Sequence, residues 1–262
     1  MRIAGVVAAV VLGVVNAASS QTLFANNTEP TLYEYCRQFQ SLYTQIREES
    51  ILPDSARQRF SGIMRGLQRQ FATTTLPVPD SLWRDSVLRS GTHFVFPLRG
   101  YGPRAIGGTR GEGYRSRGFD LFDYNVRGSH PAQDIFIRDR NQDNLDDATN
   151  EPVDVLSMSS GLVLGIETAW NPGQEYRGGN WIWVYDPALH GLFYYAHNNV
   201  VNVTPGQWVR AGEKIGEVGR TGYNAYKPRS GTHLHLMYLE LDTDGLPRPV
   251  NPYNWLLDAR QE

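Results

Sequence analysis

The spacing of apolar residues divides the chain into a helical part and a strand-rich part. Between Thr31 and Arg89, apolar residues recur every three or four positions, which is typical of amphipathic helices. Pro53 and the polar residues after it interrupt the pattern, which therefore predicts two helices in an antiparallel hairpin. The apolar positions are Leu32, Tyr35, Cys36, Phe39, Leu42, Tyr43 and Ile46, then Phe60, Ile63, Met64, Leu67 and Phe71. Such a stripe usually packs into a core, and docking to a partner is the alternative.

From Thr92 onward, short apolar runs alternate with glycine-containing segments, a pattern that predicts β-strands. The runs span residues 94–98, 161–166, 181–185, 192–197, 214–219 and 233–241. Because no long helical pattern interrupts them, the predicted fold class is mainly β, an antiparallel sheet domain preceded by a small α-helical hairpin. The predicted organisation is a signal peptide at 1–18, a helical region with a linker at 19–90 and the β domain at 91–262.

The amino terminus has the layout of a secretory signal. Arg2 precedes an uninterrupted apolar run from Ile3 to Val15, and small residues follow at positions 17 to 20. A membrane-spanning helix needs about 20 residues, so we expect cleavage after Ala17 or Ala18, with an uncleaved anchor as the alternative. The sequence therefore predicts a periplasmic or extracellular protein with no stable membrane span after cleavage.

Composition excludes several classes of protein. The chain has 25 Lys and Arg against 27 Asp and Glu, a net charge of −2, which is too balanced for a protein that mainly binds nucleic acid. A single cysteine, Cys36, excludes a disulfide framework within the chain and a cysteine-rich zinc site. No sequence feature indicates an oligomeric state.

Two short histidine motifs supply the candidate chemistry. In His233-Leu234-His235, residues two apart on a strand point to the same face, so both imidazoles enter one cleft while Leu234 faces the core. His130 is predicted on a loop before a strand, and Asp134 at the start of that strand. Each motif alone is weak, because histidines are common on solvent-facing strands. Together, two histidines and an aspartate suit zinc and leave a fourth position for water, as in catalytic sites.

The order of six segments resembles the LytM/lysostaphin-type zinc endopeptidases, the M23 peptidases that cut peptidoglycan cross-bridges. The resemblance covers roughly Phe94 to Leu256. It is carried by residues 130–134, 152–163, 195–197, 203–222, 233–235 and 251–253.

The resemblance implies a site and an activity. His130, Asp134 and His235 would hold a single zinc ion, and His197 and His233 would be catalytic. The implied protein is a secreted zinc metalloendopeptidase that hydrolyses peptide bonds of peptidoglycan stem peptides or cross-bridges. Strand geometry alone leaves open which of His233 and His235 binds the metal. The sequence contains no H-E-x-x-H motif, which excludes a thermolysin-type site.

Two other functions stay open at this point. The first is a non-catalytic M23-like module that binds and activates another cell-wall hydrolase through its helical hairpin. The second is an M23 enzyme that acts on proteins instead of wall peptides. The presence of all five site residues favours the wall-cutting enzyme.

The chain departs from the family pattern in two insertions, and a third stretch has an unusual composition. Residues 139–154 contain six acidic residues against one basic residue, which predicts a solvated acidic loop, with a calcium loop as the alternative. A second insertion spans residues 223–230. The glycine- and arginine-rich stretch 100–118 is predicted to be a flexible loop or a lip over the substrate. The hairpin either packs on a flank of the β domain or lies across the acidic loop and restricts entry to the cleft.

Overall fold

The computed structural model describes residues 29–73 and 93–262. Helices α1 (Leu32–Arg47) and α2 (Pro53–Thr73) come first, and helix α3 (Tyr253–Asp258) lies near the end. The ten strands are β1 (Ala132–Phe136), β2 (Asp154–Leu156), β3 (Gly161–Glu167), β4 (Trp181–Asp186), β5 (Gly191–Ala196), β6 (Asn198–Val201), β7 (Trp208–Val209), β8 (Lys214–Val218), β9 (His233–Leu241) and β10 (Pro247–Val250). The predicted signal peptide and most of the predicted linker lie outside the described residues. None of the described helices is both long and apolar enough to cross a membrane.

The strands form two antiparallel sheets. The seven-stranded sheet has the order β1-β9-β5-β4-β3-β7, and β10 also pairs with β9. The three-stranded sheet has the order β2-β8-β6. All of these pairings are antiparallel. The predicted fold class, mainly β with a helical hairpin in front, is confirmed.

The large sheet is buried on both faces, and its strands alternate between two apolar cores. On β4, Trp181, Trp183 and Tyr185 belong to the core shared with the hairpin, whereas Ile182 and Val184 belong to the core on the opposite face. This two-sided burial explains why the strands read as continuous apolar runs instead of alternating with polar residues. The sheet is therefore the middle layer of the molecule.

The hairpin packs directly on the large sheet. The ring of Phe39 lies 6.0 Å from that of Trp183 on β4 and 6.1 Å from that of Phe60 on α2. Gln40 exchanges two hydrogen bonds with the Ile166 backbone of β3, accepting from its N–H at 2.8 Å and donating to its carbonyl oxygen at 3.0 Å. These contacts support the interpretation of the hairpin as part of the core, and they lie on the sheet and not on the acidic loop.

A capping box fixes where α1 begins. The Thr31 hydroxyl accepts the N–H of Glu34 at 3.2 Å, and the Glu34 carboxylate accepts the N–H of Thr31 at 2.7 Å. This reciprocal pair satisfies two N–H groups that the helix leaves without partners. The start of α1 is thereby defined, and the helix runs from this cap to Arg47.

The acidic insertion is held by its own carboxylates. Asp139 is buried and accepts the N–H groups of Asp143 and Asn144 and the hydroxyl of Thr232. Asp146 accepts the N–H groups of Ala148 and Thr149 and the hydroxyl of Tyr101. Among the described residues, only one group of three metal-ligating side chains lies close together, and it is not in this loop. The carboxylates of this loop thus hold it as a hydrogen-bonded turn, and the calcium alternative stays a prediction.

Removing the hairpin should expose the large apolar side chains of the sheet face that it covers. We expect a shortened chain that begins at residue 88 to aggregate, because buried rings such as Trp183 and Tyr185 would enter water. Size-exclusion chromatography and circular dichroism of the mature and shortened chains would show this. A shortened chain that stays monomeric and folded would contradict this account and return the hairpin to the gating interpretation.

Asp186 should make the stability of the fold depend on pH. It ends β4, accepts the N–H groups of Ala188 and Leu189 at 2.9 and 3.1 Å, and has its pKa raised to about 6 by burial. An unfolded aspartate has a pKa of about 3.9, so the native state binds more protons between these two values. The free energy of unfolding of the wild type therefore falls as pH rises from about 4 to about 6.

Asp186→Asn keeps an acceptor oxygen for the turn and removes this titration. Relative to the wild type, we expect the variant to gain on the order of 2 to 3 kcal/mol between pH 4 and pH 7. Urea unfolding at several pH values measures the difference, and the exposed Asp258→Asn controls for the loss of one charge. A difference that does not change with pH would contradict the assignment.

Candidate metal and catalytic site

The candidate site lies at one end of β9, on the face of the large sheet that the hairpin covers further along. His233, His235, Met237 and Leu239 alternate on this face, and the latter two are buried in the core shared with the hairpin. Leu234 is buried in the opposite core. The prediction that the two histidines share a face while the leucine between them faces a core is therefore confirmed.

Three of the predicted residues converge on one point. The ligand atoms of His130, Asp134 and His235 all lie within 4.8 Å of one another. The register of β1 and β9 pairs Asp134 directly with His235, whose Nδ1 lies 3.0 Å from Asp134 Oδ1. His130 sits just before β1, where its backbone exchanges two hydrogen bonds with Arg115, and its Nε2 lies 3.2 Å from Asp134 Oδ1. The sequence-predicted ligand set is thus assembled from a loop and two neighbouring strands.

The electrostatics of the group keep Asp134 ionised. Burial alone would raise its pKa, but hydrogen bonds from His130 and His235 outweigh burial and hold the pKa of this carboxyl well below its usual range. An ionised carboxylate is the form that binds a metal. Asp134 is therefore ready to act as an oxygen ligand.

The donor set fits zinc. Nδ1 of His130 lies 2.8 Å from the carbonyl oxygen of Gly113, so Nε2, the ring nitrogen that faces Asp134, is the one that would bind a metal. A ligating histidine normally donates its other ring N–H to a carbonyl or carboxylate in this way. Two nitrogens and one oxygen are a common protein contribution to a zinc site with an open position.

His197 and His233 lie next to the cluster of His130, Asp134 and His235 but are not part of it. Their ring centroids are 4.8 Å apart, and the His197 ring lies 5.5 Å from that of His235. His197 Nδ1–H donates to the Thr221 carbonyl oxygen and His233 Nδ1–H to the Gly231 carbonyl oxygen, both at 2.7 Å. We assign these tautomers from their acceptors, and both rings then carry a lone pair on Nε2.

The charge state of His197 follows from its surroundings. Burial lowers its pKa, the neighbouring His233 and His235 lower it further, and together they bring it well below the usual value. The imidazole is therefore neutral at physiological pH. A neutral imidazole with a free Nε2 can accept a proton from water.

His197 is positioned by an unusual backbone arrangement. Its φ is +69°, in the left-handed region that side chains other than glycine rarely adopt. Its N–H donates to the Gly178 carbonyl oxygen at 3.0 Å, and Thr221 Oγ1 ties the neighbouring strands by accepting from Asn180 and donating to Asn198. Backbone conformations of this kind persist where surrounding contacts enforce them and often mark functional sites.

Gly222 completes this support. Its φ is +109°, and a Cβ at this position would lie 2.3 Å from the Arg177 carbonyl oxygen and 3.0 Å from His197 Nδ1. Only glycine leaves room for both groups. The Thr221-Gly222 pair, part of the motif seen in the sequence, therefore has a physical role in orienting His197.

The five residues open into a cavity of about 380 Å³. The second insertion contributes Asn224, Ala225 and Ser230 to its wall, and the stretch between Phe119 and Val126 forms another side. Sequence reasoning did not predict that α1 also contributes, through Tyr43 and Arg47. Tyr43 belongs to the apolar stripe and Arg47 ends the helix, a common position for arginine, so neither carried a signal that distinguishes a cleft residue.

Comparison with protein families gives one match. Residues 141–252 match the model of Peptidase family M23. This segment contains His197, His233 and His235 and begins just after His130 and Asp134. No curated protein matches the chain.

Two peptidases are among the solved structures to which this chain is similar. The catalytic domain of the antimicrobial peptidase lysostaphin from Staphylococcus simulans is 22% identical, and the match covers 68% of this chain and 97% of that one with a TM-score of 0.36. A putative glycyl-glycine endopeptidase LytM from Ruminococcus gnavus is 20% identical, with 88% and 97% covered and a TM-score of 0.44. The resemblance predicted from the sequence is confirmed by the family match, which covers residues 141–252 of this chain.

Proposed function

We propose that this protein is an exported, zinc-dependent endopeptidase that hydrolyses peptide bonds of peptidoglycan stem peptides or cross-bridges. The observation that carries the proposal is the convergence of His130, Asp134 and His235 within 4.8 Å, beside two further histidines in one cavity. The match of residues 141–252 to the M23 family model supports peptidase activity. The predicted signal peptide supports export.

In this proposal, His130, Asp134 and His235 hold the metal. A bound zinc ion would lower the pKa of a water molecule and polarise the carbonyl group of the scissile bond. Asp134 is central because its carboxylate contacts both His130 and His235 and keeps their ligand nitrogens turned toward one point. Loss of any one of the three residues leaves too few ligands to retain a metal at an open site.

His197 and His233 move the protons. Each has Nδ1–H tied to a backbone carbonyl oxygen, so Nε2 is the only ring atom that can accept a proton. His197, which is neutral, accepts the proton of the attacking water at Nε2 and returns it to the departing amine. His233, 4.8 Å from His197 between ring centroids, orients the water and the developing oxyanion.

The cavity suits a short peptide segment. Its volume of about 380 Å³ lies in the range of pockets that hold small organic ligands. Tyr43, Trp181 and Tyr194 provide apolar walls, and the histidines provide the polar groups near one end. The alternative of a non-catalytic module that activates another hydrolase predicts the same fold without turnover, and the activity measurements below separate the two.

The metal assignment predicts that His235→Ala abolishes zinc binding. We expect the mature wild-type protein to hold about one zinc ion per chain after dialysis, and His130→Ala and Asp134→Ala to behave like His235→Ala. Elemental analysis measures the zinc content, with His93→Ala as a control histidine outside the cavity. Undiminished zinc in His235→Ala would remove this residue from the ligand set.

The catalytic assignment predicts that His197→Ala keeps its zinc and loses at least about a hundredfold in activity, the usual scale for a positioned acid–base group. Release of muropeptides from purified peptidoglycan, identified by mass spectrometry, measures the activity and the bond cut. If the zinc-loaded wild type releases no fragments, the non-catalytic module is the better account. If His197→Ala is fully active, the catalytic role proposed for His197 is wrong.

Gly222→Ala tests the support of His197. The added Cβ collides with the Arg177 carbonyl oxygen and pushes on His197 Nδ1, so we expect zinc to remain while activity falls by about a hundredfold, as for small misplacements of catalytic groups. The matched control is Gly118→Ala, where φ is +76° and nothing lies within 4 Å of the added atom. Equal activity of the two variants would show that backbone strain alone, and not the contact with His197, accounts for any loss.

A further inference from the structure

The cavity has a second polar end, formed by two arginines. Arg47 is the last residue of α1, and Arg177 lies on the loop between β3 and β4. Both line the same cavity as His130, Asp134 and His235. Nothing in the hydrolytic chemistry above uses either guanidinium.

Arg47 is almost fully buried and only partly satisfied. Its side chain is 7% exposed, and Nη2 binds Glu167 Oε2 at 2.9 Å. Nε and Nη1 have no hydrogen-bond partner within the part of the chain that the structure describes. Aromatic rings surround the guanidinium instead, with Tyr176 at 4.5 Å and Trp181 at 5.5 Å from the ring centroids. Buried donors without acceptors destabilise a fold, so they call for an acceptor that is not part of the chain.

Arg177 adds a positive charge beside it. Its guanidinium lies 4.4 Å from the centroid of the Tyr124 ring, and its Nη groups donate to the carbonyl oxygens of Val126, at 2.9 Å, and Tyr124. These acceptors are neutral. Among the described residues, no carboxylate lies within ion-pairing distance of Arg177, so its charge is not neutralised by a partner.

None of the carboxylates that line the cavity pairs with Arg47 or Arg177. Asp120 pairs with Arg57 of α2, Asp123 accepts the N–H of Asn125 at 3.0 Å, and Asp134 belongs to the metal group. Glu167, which forms an ion pair with Arg47, does not line the cavity. At this end of the cavity, Arg177 therefore has no carboxylate partner, and Nε and Nη1 of Arg47 have no acceptor among the described residues.

We propose that Arg47 and Arg177 form a carboxylate-binding subsite, so that the peptide bound in the cleft carries a carboxylate at this end. Guanidinium groups bind carboxylates through charge-assisted hydrogen bonds, which are stronger than neutral ones. The guanidinium of Arg47 packs against the half-buried ring of Tyr176, which must shift for a carboxylate to reach Nε and Nη1. The subsite deepens the proposed function, on which it rests, by defining the chemistry of the substrate.

Binding measured without hydrolysis tests the subsite separately from catalysis. The probes are the tetrapeptide Ala-γ-D-Glu-Lys-D-Ala with free carboxylates and its counterpart with both carboxylates converted to carboxamides. Isothermal titration calorimetry uses the full mature chain with His197→Ala, which prevents cleavage. We expect the acid to bind at least about tenfold more tightly than the amide, the scale of one hydrogen bond to a charged group.

Three variants and one charge control in this background show which residues cause the preference for the acid. Arg47→Gln and Arg177→Gln should each bring the two affinities together. Glu167→Gln breaks the ion pair that ties α1 to β3 but leaves both guanidinium groups, so it should keep the preference for the acid. Arg140→Gln, whose side chain is 96% exposed, controls for the loss of one positive charge.

The outcomes are separable. Equal binding of acid and amide overturns the subsite whether or not the protein cuts peptidoglycan, and a retained preference in Arg177→Gln does the same. If Glu167→Gln loses the preference as Arg47→Gln does, Arg47 has only a structural role and the proposal fails. If Arg47→Gln does not fold, Arg177→Gln and the acid–amide comparison still decide.

Discussion

The candidate site depends on the register between β1 and β9. This pairing sets Asp134 opposite His235, so that one carboxylate oxygen contacts the donor nitrogens of both His130 and His235. Because side chains alternate along a strand, a shift of one residue would turn His233 and His235 into the opposite core and bring Leu234 into the cleft. The buried Leu234 and Leu236 oppose such a shift, since it would expose them to the cavity. The apolar core thus fixes the geometry of the polar site.

The hairpin and the cleft share one face of the large sheet. Where α1 and α2 cover the face, it is packed with aromatic rings such as Phe39 against Trp183, and where they end, it becomes the cavity. The last turn of α1 lies at this border and contributes Tyr43 and Arg47 to the wall. The hairpin is therefore both a part of the core and a boundary of the site, a combination that neither of its two sequence-based interpretations contained.

Much of this could be predicted from the sequence, because the signals were local. Period-two spacing placed His233 and His235 on one face, and the three-to-four spacing of apolar residues predicted the hairpin. The division of ligand and catalytic roles came from family resemblance and stays a prediction, although the hydrogen bonds of His197 and His233 to backbone carbonyls agree with it. The place of Arg47 in the cavity wall could not be predicted from local patterns, since its burial depends on Tyr176 and Trp181, more than 120 residues away. The left-handed backbone of His197 likewise follows from contacts with Gly178 and Thr221.

The candidate chemistry and part of the cavity wall lie on different elements of the fold, because α1 contributes to the wall. The proposed metal ligands and catalytic histidines lie on strands and adjoining loops, whereas part of the far wall lies on the last turn of a helix. A substitution at Tyr43 can reshape that wall without altering the strand pairing that holds Asp134 and His235. Substitutions in a helix turn that holds none of the candidate ligands or catalytic residues can therefore change substrate preference, in related proteins or by redesign.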